Sequence, residues 1–149
     1  MIVAIKLKLS SAVSDMSSGR SRYKIMMPFD LLIVDDSKAI RKILHRVFHT
    51  AEIPLRNVYE AGDGLEALAI LNANNVSLVV SDINMPNMDG LQLLAEIRAN
   101  EAWKSVPVIM ITTEGSQAKV IEAAQRGANG YVRKPFTPEQ IKIALAALV

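Results

Sequence analysis

Three short segments of this 149-residue chain carry its most chemically suggestive side chains. Asp35 and Asp36 follow the apolar run Leu31-Leu32-Ile33-Val34. Asp82 follows Leu78-Val79-Val80 and a serine, and Lys134 follows Gly130-Tyr131-Val132-Arg133. Short apolar runs rich in β-branched residues form strands buried on both faces. A carboxylate at the carboxyl end of such a strand stands where open α/β sheets bind their ligands. Three carboxylates gathered at one sheet edge repel, and they need a counter-charge or a retained proton. A hard divalent cation and the ammonium of Lys134 are the available counter-charges. Oxygen-only ligands, with no His or Cys, favour Mg²⁺ or Mn²⁺. A metal, a lysine and a hydroxyl (Thr112, at the end of a fourth run) around one accessible carboxylate make a phosphoryl-acceptor site. The cation and Lys134 neutralise the transferring group, and Asp82 attacks phosphorus to give an aspartyl phosphate.

For these groups to meet, the chain must bring several strand ends to one edge, and its pattern does so. Leu31–Val34 reads as a strand, and Ser37 caps a helix carrying Ile40, Ile43, Leu44 and Val47 at helical spacing. Asn57–Ala61 is a second strand, and Asp63 starts a helix with Leu65, Leu68, Ala69 and Leu71. The strand ending at Asp82 precedes a helix from about Asp89 to Ala99, with Leu91, Leu94 and Ile97 inward. Val106–Ile111 is the fourth strand, ending at Thr112-Thr113. A helix with Val120, Ile121 and Ala124 stops at Gly127. Asn129–Arg133 is the fifth strand, and Thr137-Pro138 opens a last helix through Leu148. Five strands alternating with five helices predict an α/β fold: a three-layer (βα)5 doubly wound parallel sheet with right-handed crossovers.

Composition narrows the class. Half the residues are hydrophobic and 21% are charged, as in a globular domain with its own core. Cysteine is absent, so disulfides, thiolate catalysis and Cys-based zinc sites are excluded, and a reducing cytoplasmic setting fits. The net charge of +2 is unevenly spread. Residues 1–27 carry Lys6, Lys8, Arg20, Arg22 and Lys24 against Asp15, whereas residues 28–149 have two more acidic than basic groups. The basicity belongs to an extension expected to be flexible, and the body gives no case for nucleic-acid binding. No apolar run approaches the ~20 residues of a membrane span, and Lys6 and Lys8 interrupt the amino-terminal apolar run before a signal-peptide core forms. His45 and His49 lie four apart on the first helix without a third ligand, and Trp103 stands in a polar stretch where a lid role is conceivable.

The ordered segments Ile33-Val34-Asp35-Asp36-Ser37, Ser81-Asp82-Ile83-Asn84-Met85-Pro86-Asn87-Met88-Asp89-Gly90, Ile111-Thr112-Thr113-Glu114 and Gly130-Tyr131-Val132-Arg133-Lys134-Pro135-Phe136 resemble the receiver domain of bacterial two-component response regulators. The similarity is greatest to the CheY-like single-domain regulators, and it covers residues 28–149. It implies a flavodoxin-like fold with strand order 2-1-3-4-5, the order that CheY itself exemplifies. It also implies roles. Asp82 is the phosphoacceptor, and Asp35, Asp36, Asp82 and the backbone carbonyl of Asn84 hold Mg²⁺. Lys134 pairs with the phosphoryl group, Thr112 hydrogen-bonds it and moves, and Tyr131 rotates inward to fill the vacated space. The Lys134-Pro135 bond is implied to be cis. Asn84, Thr113 and Glu114 tune the lifetime of the acyl phosphate.

The resemblance therefore implies a phosphorylation-activated switch without an output domain, not an enzyme beyond its own phosphorylation and dephosphorylation. Its partners would be a histidine kinase or phosphotransfer protein, a downstream protein target and a phosphatase. Two rival classes fit less well. A haloacid-dehalogenase-type phosphatase wants a second Asp two residues past its nucleophile, where this chain has Asn84. A flavodoxin-like cofactor binder wants a hydroxyl- and glycine-rich phosphate loop after the first strand, where Asp35-Asp36 would repel phosphate.

Overall fold

Leu31, Leu32, Ile33 and Val34 are all inaccessible to solvent, which a strand achieves only when both of its faces are covered. The structure, a computed structural model, describes residues 2–4 and 28–148. In chain order the elements are β1 (Ile2–Ala4), β2 (Phe29–Val34), α1 (Lys38–Thr50), β3 (Leu55–Ala61), α2 (Gly64–Ala73), β4 (Leu78–Ser81), α3 (Gly90–Ala99), β5 (Val108–Thr112), α4 (Gln117–Gln125), β6 (Gly130–Arg133) and α5 (Pro138–Ala146). One sheet holds all six strands in the order β1-β6-β5-β4-β2-β3. Strands β2 to β6 are parallel and, counted from β2, stand in the expected order 2-1-3-4-5.

The two-residue period of the strands sorts the core into two layers. Leu32, Val34, Val79, Met110 and Tyr131 point to the face covered by α2, α3 and α4, where they meet Ala67, Leu71, Leu94, Ile97 and Ala123. Leu31, Ile33, Val80, Ile109 and Val132 point to the other face, against Leu44 and Phe48 of α1 and Ile141 and Leu145 of α5. Each fully buried aliphatic or aromatic side chain contributes about 1.5–3 kcal/mol. Polar side chains start the helices by accepting from the backbone three residues on, as Ser37, Asp63, Asp89, Ser116 and Thr137 all do. Asp89 with Gln92, and Thr137 with Gln140, form reciprocal capping boxes.

Several expectations shift. A sixth strand exists: Ile2–Ala4 pairs antiparallel with β6, so this part of the extension is ordered by an open sheet edge that its sequence alone does not reveal. The remainder of the extension lies outside the described residues. Strand β5 begins at Val108, because the Val106 amide closes a turn to the Trp103 carbonyl and Pro107 has no N–H to offer. On the helices, Ile43, Leu65 and Ile121 are 45%, 53% and 48% exposed. Phe48 and Ala123 take the inward positions instead.

Two polar clusters tie the elements together near the amino-terminal ends of the strands. Asp30 on β2 is buried and accepts from Arg56 Nε and NH2 at 3.0 and 2.5 Å and from Asn57 Nδ2 at 2.9 Å. The Arg56 hydrogen bonds hold its carboxyl down at about 2, against the opposing effect of burial. A depressed carboxyl stabilises the fold above its unfolded value, and that contribution disappears as acid protonates the folded form. Thermal unfolding followed from about pH 5 down to pH 2 should therefore lose stability more steeply in the wild type than in Asp30→Asn. Equal slopes would remove Asp30 as a source of the acid sensitivity. The second cluster is Arg98 on α3, whose guanidinium donates to the carbonyls of Gly127 and Val106 and to Asn129 Oδ1 at 2.7–3.0 Å. Burial lowers its pKa, and the clamp ties α3 to two connections, α3–β5 and α4–β6.

Candidate functional site

The carboxyl ends of β2, β4, β5 and β6 meet at one rim. Strand β2 ends at Val34, and Asp35 continues it by donating its amide to the Ala61 carbonyl at 3.0 Å. Asp82 follows β4, with its amide bonded to the Val34 carbonyl at 2.9 Å. These two bonds fix both carboxylates on neighbouring strands. Strand β6 delivers Lys134, whose amide donates to the Thr112 carbonyl at the end of β5 at 2.8 Å. The Lys134–Pro135 bond is cis, as the resemblance implies.

The side chains converge. Lys134 Nζ lies 2.6 Å from Asp35 Oδ2 and 3.2 Å from Asp82 Oδ2, with the three side chains 11%, 2% and 12% exposed. The second oxygen of each carboxylate is also engaged. Asp35 Oδ1 accepts from the Ser37 amide at 2.9 Å and Asp82 Oδ1 from the Ile83 amide at 2.7 Å. Asp36 stands more exposed, yet one oxygen from each of Asp35, Asp36 and Asp82 lies within 4.8 Å of the others. It is the only group of three such ligating side chains among the described residues, and His45 and His49 do not join one. The donors are hard oxygens. Three carboxylates against one ammonium leave two negative charges in excess, which a divalent cation balances. The residues present therefore fit Mg²⁺ or Mn²⁺.

Thr112 and Tyr131 meet on the backbone of one residue. Thr112 is buried, and its Oγ1 accepts from the Glu114 amide at 3.2 Å. Tyr131 is buried too, and its hydroxyl donates to the Glu114 carbonyl. Burial, reinforced by the nearby Glu114 and Asp82 charges, pushes the phenol up to about 12. Tyr131 is thus buried while Thr112 still accepts from the Glu114 amide, without the Thr112 movement that the resemblance couples to its inward rotation. Asn84 and Thr113 are exposed at the rim, and Glu114 is half-buried. Trp103 is no lid. It lines a groove of about 440 Å³ with Asn72, Asn74 and Asn100, beside the amino-terminal end of β5 and so away from the carboxylates.

The loop from Ile83 to Asp89 is anchored by contacts that no local sequence pattern announces. Asn87, at φ 65°, turns the chain and donates to Asp63 Oδ2 at 2.7 Å. With the Glu66 amide, this bond lowers the Asp63 carboxyl. The Gly64 amide reaches the Met88 carbonyl at 3.0 Å, and the Gly90 amide the Ile83 carbonyl at 2.7 Å. The only sequence signal is the turn-forming string from Pro86 to Gly90, which does not name its partners.

A five-stranded parallel sheet in the order 2-1-3-4-5 with an acidic triad and a lysine at its rim defines a class, and the comparison with known families agrees. Residues 31–146 match the response regulator receiver domain, and the chain belongs to that family. It is a phosphorylation-activated signalling module of the CheY kind. Among individual proteins, it is 46% identical over 112 residues to chemotaxis protein CheY-3 of Vibrio cholerae, covering 75% of this chain and 85% of that one. Chemotaxis protein CheY of Pseudomonas aeruginosa is 44% identical over 112 residues, covering 75% of this chain and 89% of that one. A chain of the CheX-CheY-BeF3-Mg complex from Borrelia burgdorferi superposes with a TM-score of 0.74 at 30% identity, over 85% of this chain and 95% of that one. No described helix is long and apolar enough to cross a membrane.

Proposed function

We propose that Asp82 accepts the phosphoryl group of a two-component system, and that Asp35, Asp36 and Asp82, with the Asn84 carbonyl, hold the Mg²⁺ or Mn²⁺ ion. The observation that supports this most is the Lys134 ammonium held between carboxylates of two different strands, with a third carboxylate beside them. The bound cation would supply electrostatic stabilisation of the phosphoryl oxygens. The donor is the phosphohistidine of a sensor kinase or phosphotransfer protein, or a small acyl phosphate. An Asp82 oxygen bonds to phosphorus while the donor's P–N or P–O bond breaks, its electron pair leaving with imidazole or acetate. Lys134 then turns from Asp82 toward a phosphoryl oxygen while keeping its bond to Asp35.

The signal leaves through Glu114. Thr112 accepts from the Glu114 amide and can donate its own hydroxyl hydrogen to the phosphoryl group, so a move of Thr112 toward that group pulls on the Glu114 backbone, whose carbonyl holds Tyr131. Phosphorylation thereby biases a two-state surface on α4, β6 and α5 that a downstream protein reads. Asn84, Thr113 and Glu114 set how long the acyl phosphate lasts, with or without a phosphatase. On this reading the protein is cytoplasmic, is a substrate of its kinase and not an enzyme in its own right, and works without binding nucleic acid or membrane.

The test begins with purified protein, Mg²⁺ and acetyl phosphate, followed by intact mass. One phosphoryl group should be added. Lys134→Ala should slow the addition roughly 100-fold or more, the usual effect of removing a preorganised charge-stabilising donor, while calorimetry still detects Mg²⁺ binding. Labelling of Lys134→Ala at the wild-type rate would exclude the lysine from the reaction.

A further inference from the structure

The outer edge of β6 carries a second kind of site. Parallel pairing uses one side of this strand against β5, and the Lys134 amide, just past its end, donates inward to the Thr112 carbonyl at 2.8 Å in that register. Backbone groups alternate sides along a strand, so the amides of Val132 and Gly130 face β5 and those of Tyr131 and Arg133 point outward. An uncovered edge of this sort is a template for another strand. Here the partner is the chain's own amino terminus, with Ile2 opposite Val132, Val3 opposite Tyr131 and Ala4 opposite Gly130. Strand β1 also lies near α5.

The geometry points to the outer edge of β6 as a strand-accepting interaction site whose resident occupant is Ile2–Ala4, held in cis as a displaceable plug. Three features support this. First, the tether is long enough. β1 and β2 are separated by three strands, about four spacings of ~4.8 Å or roughly 19 Å. Residues 5–28 supply 24 residues, which reach up to about 80 Å when extended. Second, the plug is short. Three residues is the lower limit of strand length, ~3–10 residues, so its hold rests on little more than the outward groups of Tyr131 and on its tethered concentration. An extended segment of similar apolar pattern can therefore exchange with it. Third, the edge adjoins functional groups: Val3 pairs beside Tyr131, and β6 leads directly into Lys134.

The pairing pattern supplies its own control. Val3 faces the outward amide of Tyr131, so its N–H points inward to the ladder and those of Ile2 and Ala4 point to solvent. Val3→Pro removes a ladder donor, whereas Ala4→Pro removes one that the ladder does not use. In the full-length protein, amide hydrogen exchange at Tyr131 should be at least tenfold faster in Val3→Pro than in wild type or Ala4→Pro. A synthetic peptide of residues 1–9, added at millimolar concentration, should restore slow exchange in Val3→Pro. Identical exchange in all three proteins would show that the strand does not occupy the edge. Protection that vanishes on tenfold dilution would place the occupant on a second copy and overturn the cis arrangement. A peptide without effect would overturn the edge as a site for exogenous segments. None of these readouts depends on phosphorylation.

Discussion

Asp82→Asn abolishes phosphoryl acceptance from acetyl phosphate and Mg²⁺ while the fold persists. The carboxamide is nearly isosteric, and its oxygen can still accept from the Ile83 amide, which now bonds Asp82 Oδ1 at 2.7 Å. Lys134 keeps its closer partner, Asp35, at 2.6 Å. Two properties are lost together. The amide oxygen is a poor nucleophile toward phosphorus, and the cation pocket falls from three carboxylates to two. Labelling should drop at least 10³-fold, to the level of adventitious modification, which is the scale of effect seen when a nucleophile is removed from an otherwise intact site. Thermal unfolding should keep its single cooperative transition. Persistent stoichiometric labelling of the variant would move the acceptor to another residue, and Asp35 and Asp36 would be the next to test by the same substitution.

Gly90→Ala is the second large effect, and it falls on stability as well as on the site. A Cβ at this position would lie 1.9 Å from the Asp82 carbonyl oxygen and 2.9 Å from the Ile83 Cα. Both obstacles are backbone atoms of the segment that carries Asp82, and they cannot swing aside as a side chain would. Relief requires the Ile83–Asp89 loop to move, which breaks the Gly90–Ile83 hydrogen bond and displaces Asp82. Overpacking of this severity costs about 3 kcal/mol or more, or roughly 10 °C in melting temperature for a domain of this size. Beryllofluoride binding with Mg²⁺ should weaken in parallel. Gly64→Ala is the comparison. The three atoms nearest its Cβ would all belong to the Met88 side chain, at 2.5–2.8 Å, and thioethers repack readily. Denaturant midpoints that ranked the two variants equally would show that the loop has slack the geometry does not reveal.

The legible and the illegible parts of this molecule differ in kind. The strands leading to Asp35 and Asp82 are readable because being buried on both faces demands an unbroken apolar run, and because the first polar residue after such a run marks the strand's end. Helix starts are readable at Ser37, Asp63, Asp89 and Thr137 because a cap bonds within its own three residues. The bonds of Asp63 to Asn87, of Asp30 to Arg56 and Asn57, and of Arg98 to Gly127 and Asn129 join residues 24 to 31 positions apart. No local pattern specifies them. The β1 strand is hidden for a related reason, since four apolar residues commit to a strand only when an open edge awaits them. Helical periodicity also overstates burial: Ile43, Leu65 and Ile121 sit at the flanks of their apolar stripes, and the described residues leave about half of each residue uncovered.

Asn84 and Thr113, proposed here to tune the lifetime of the acyl phosphate, stand outside both apolar layers, at the rim and open to solvent. Exchange of either side chain leaves every core contact in place, so on that proposal the persistence of the message can drift over generations while the thermodynamics of folding stay fixed. A family built this way can inherit one scaffold and reset its clock one surface residue at a time.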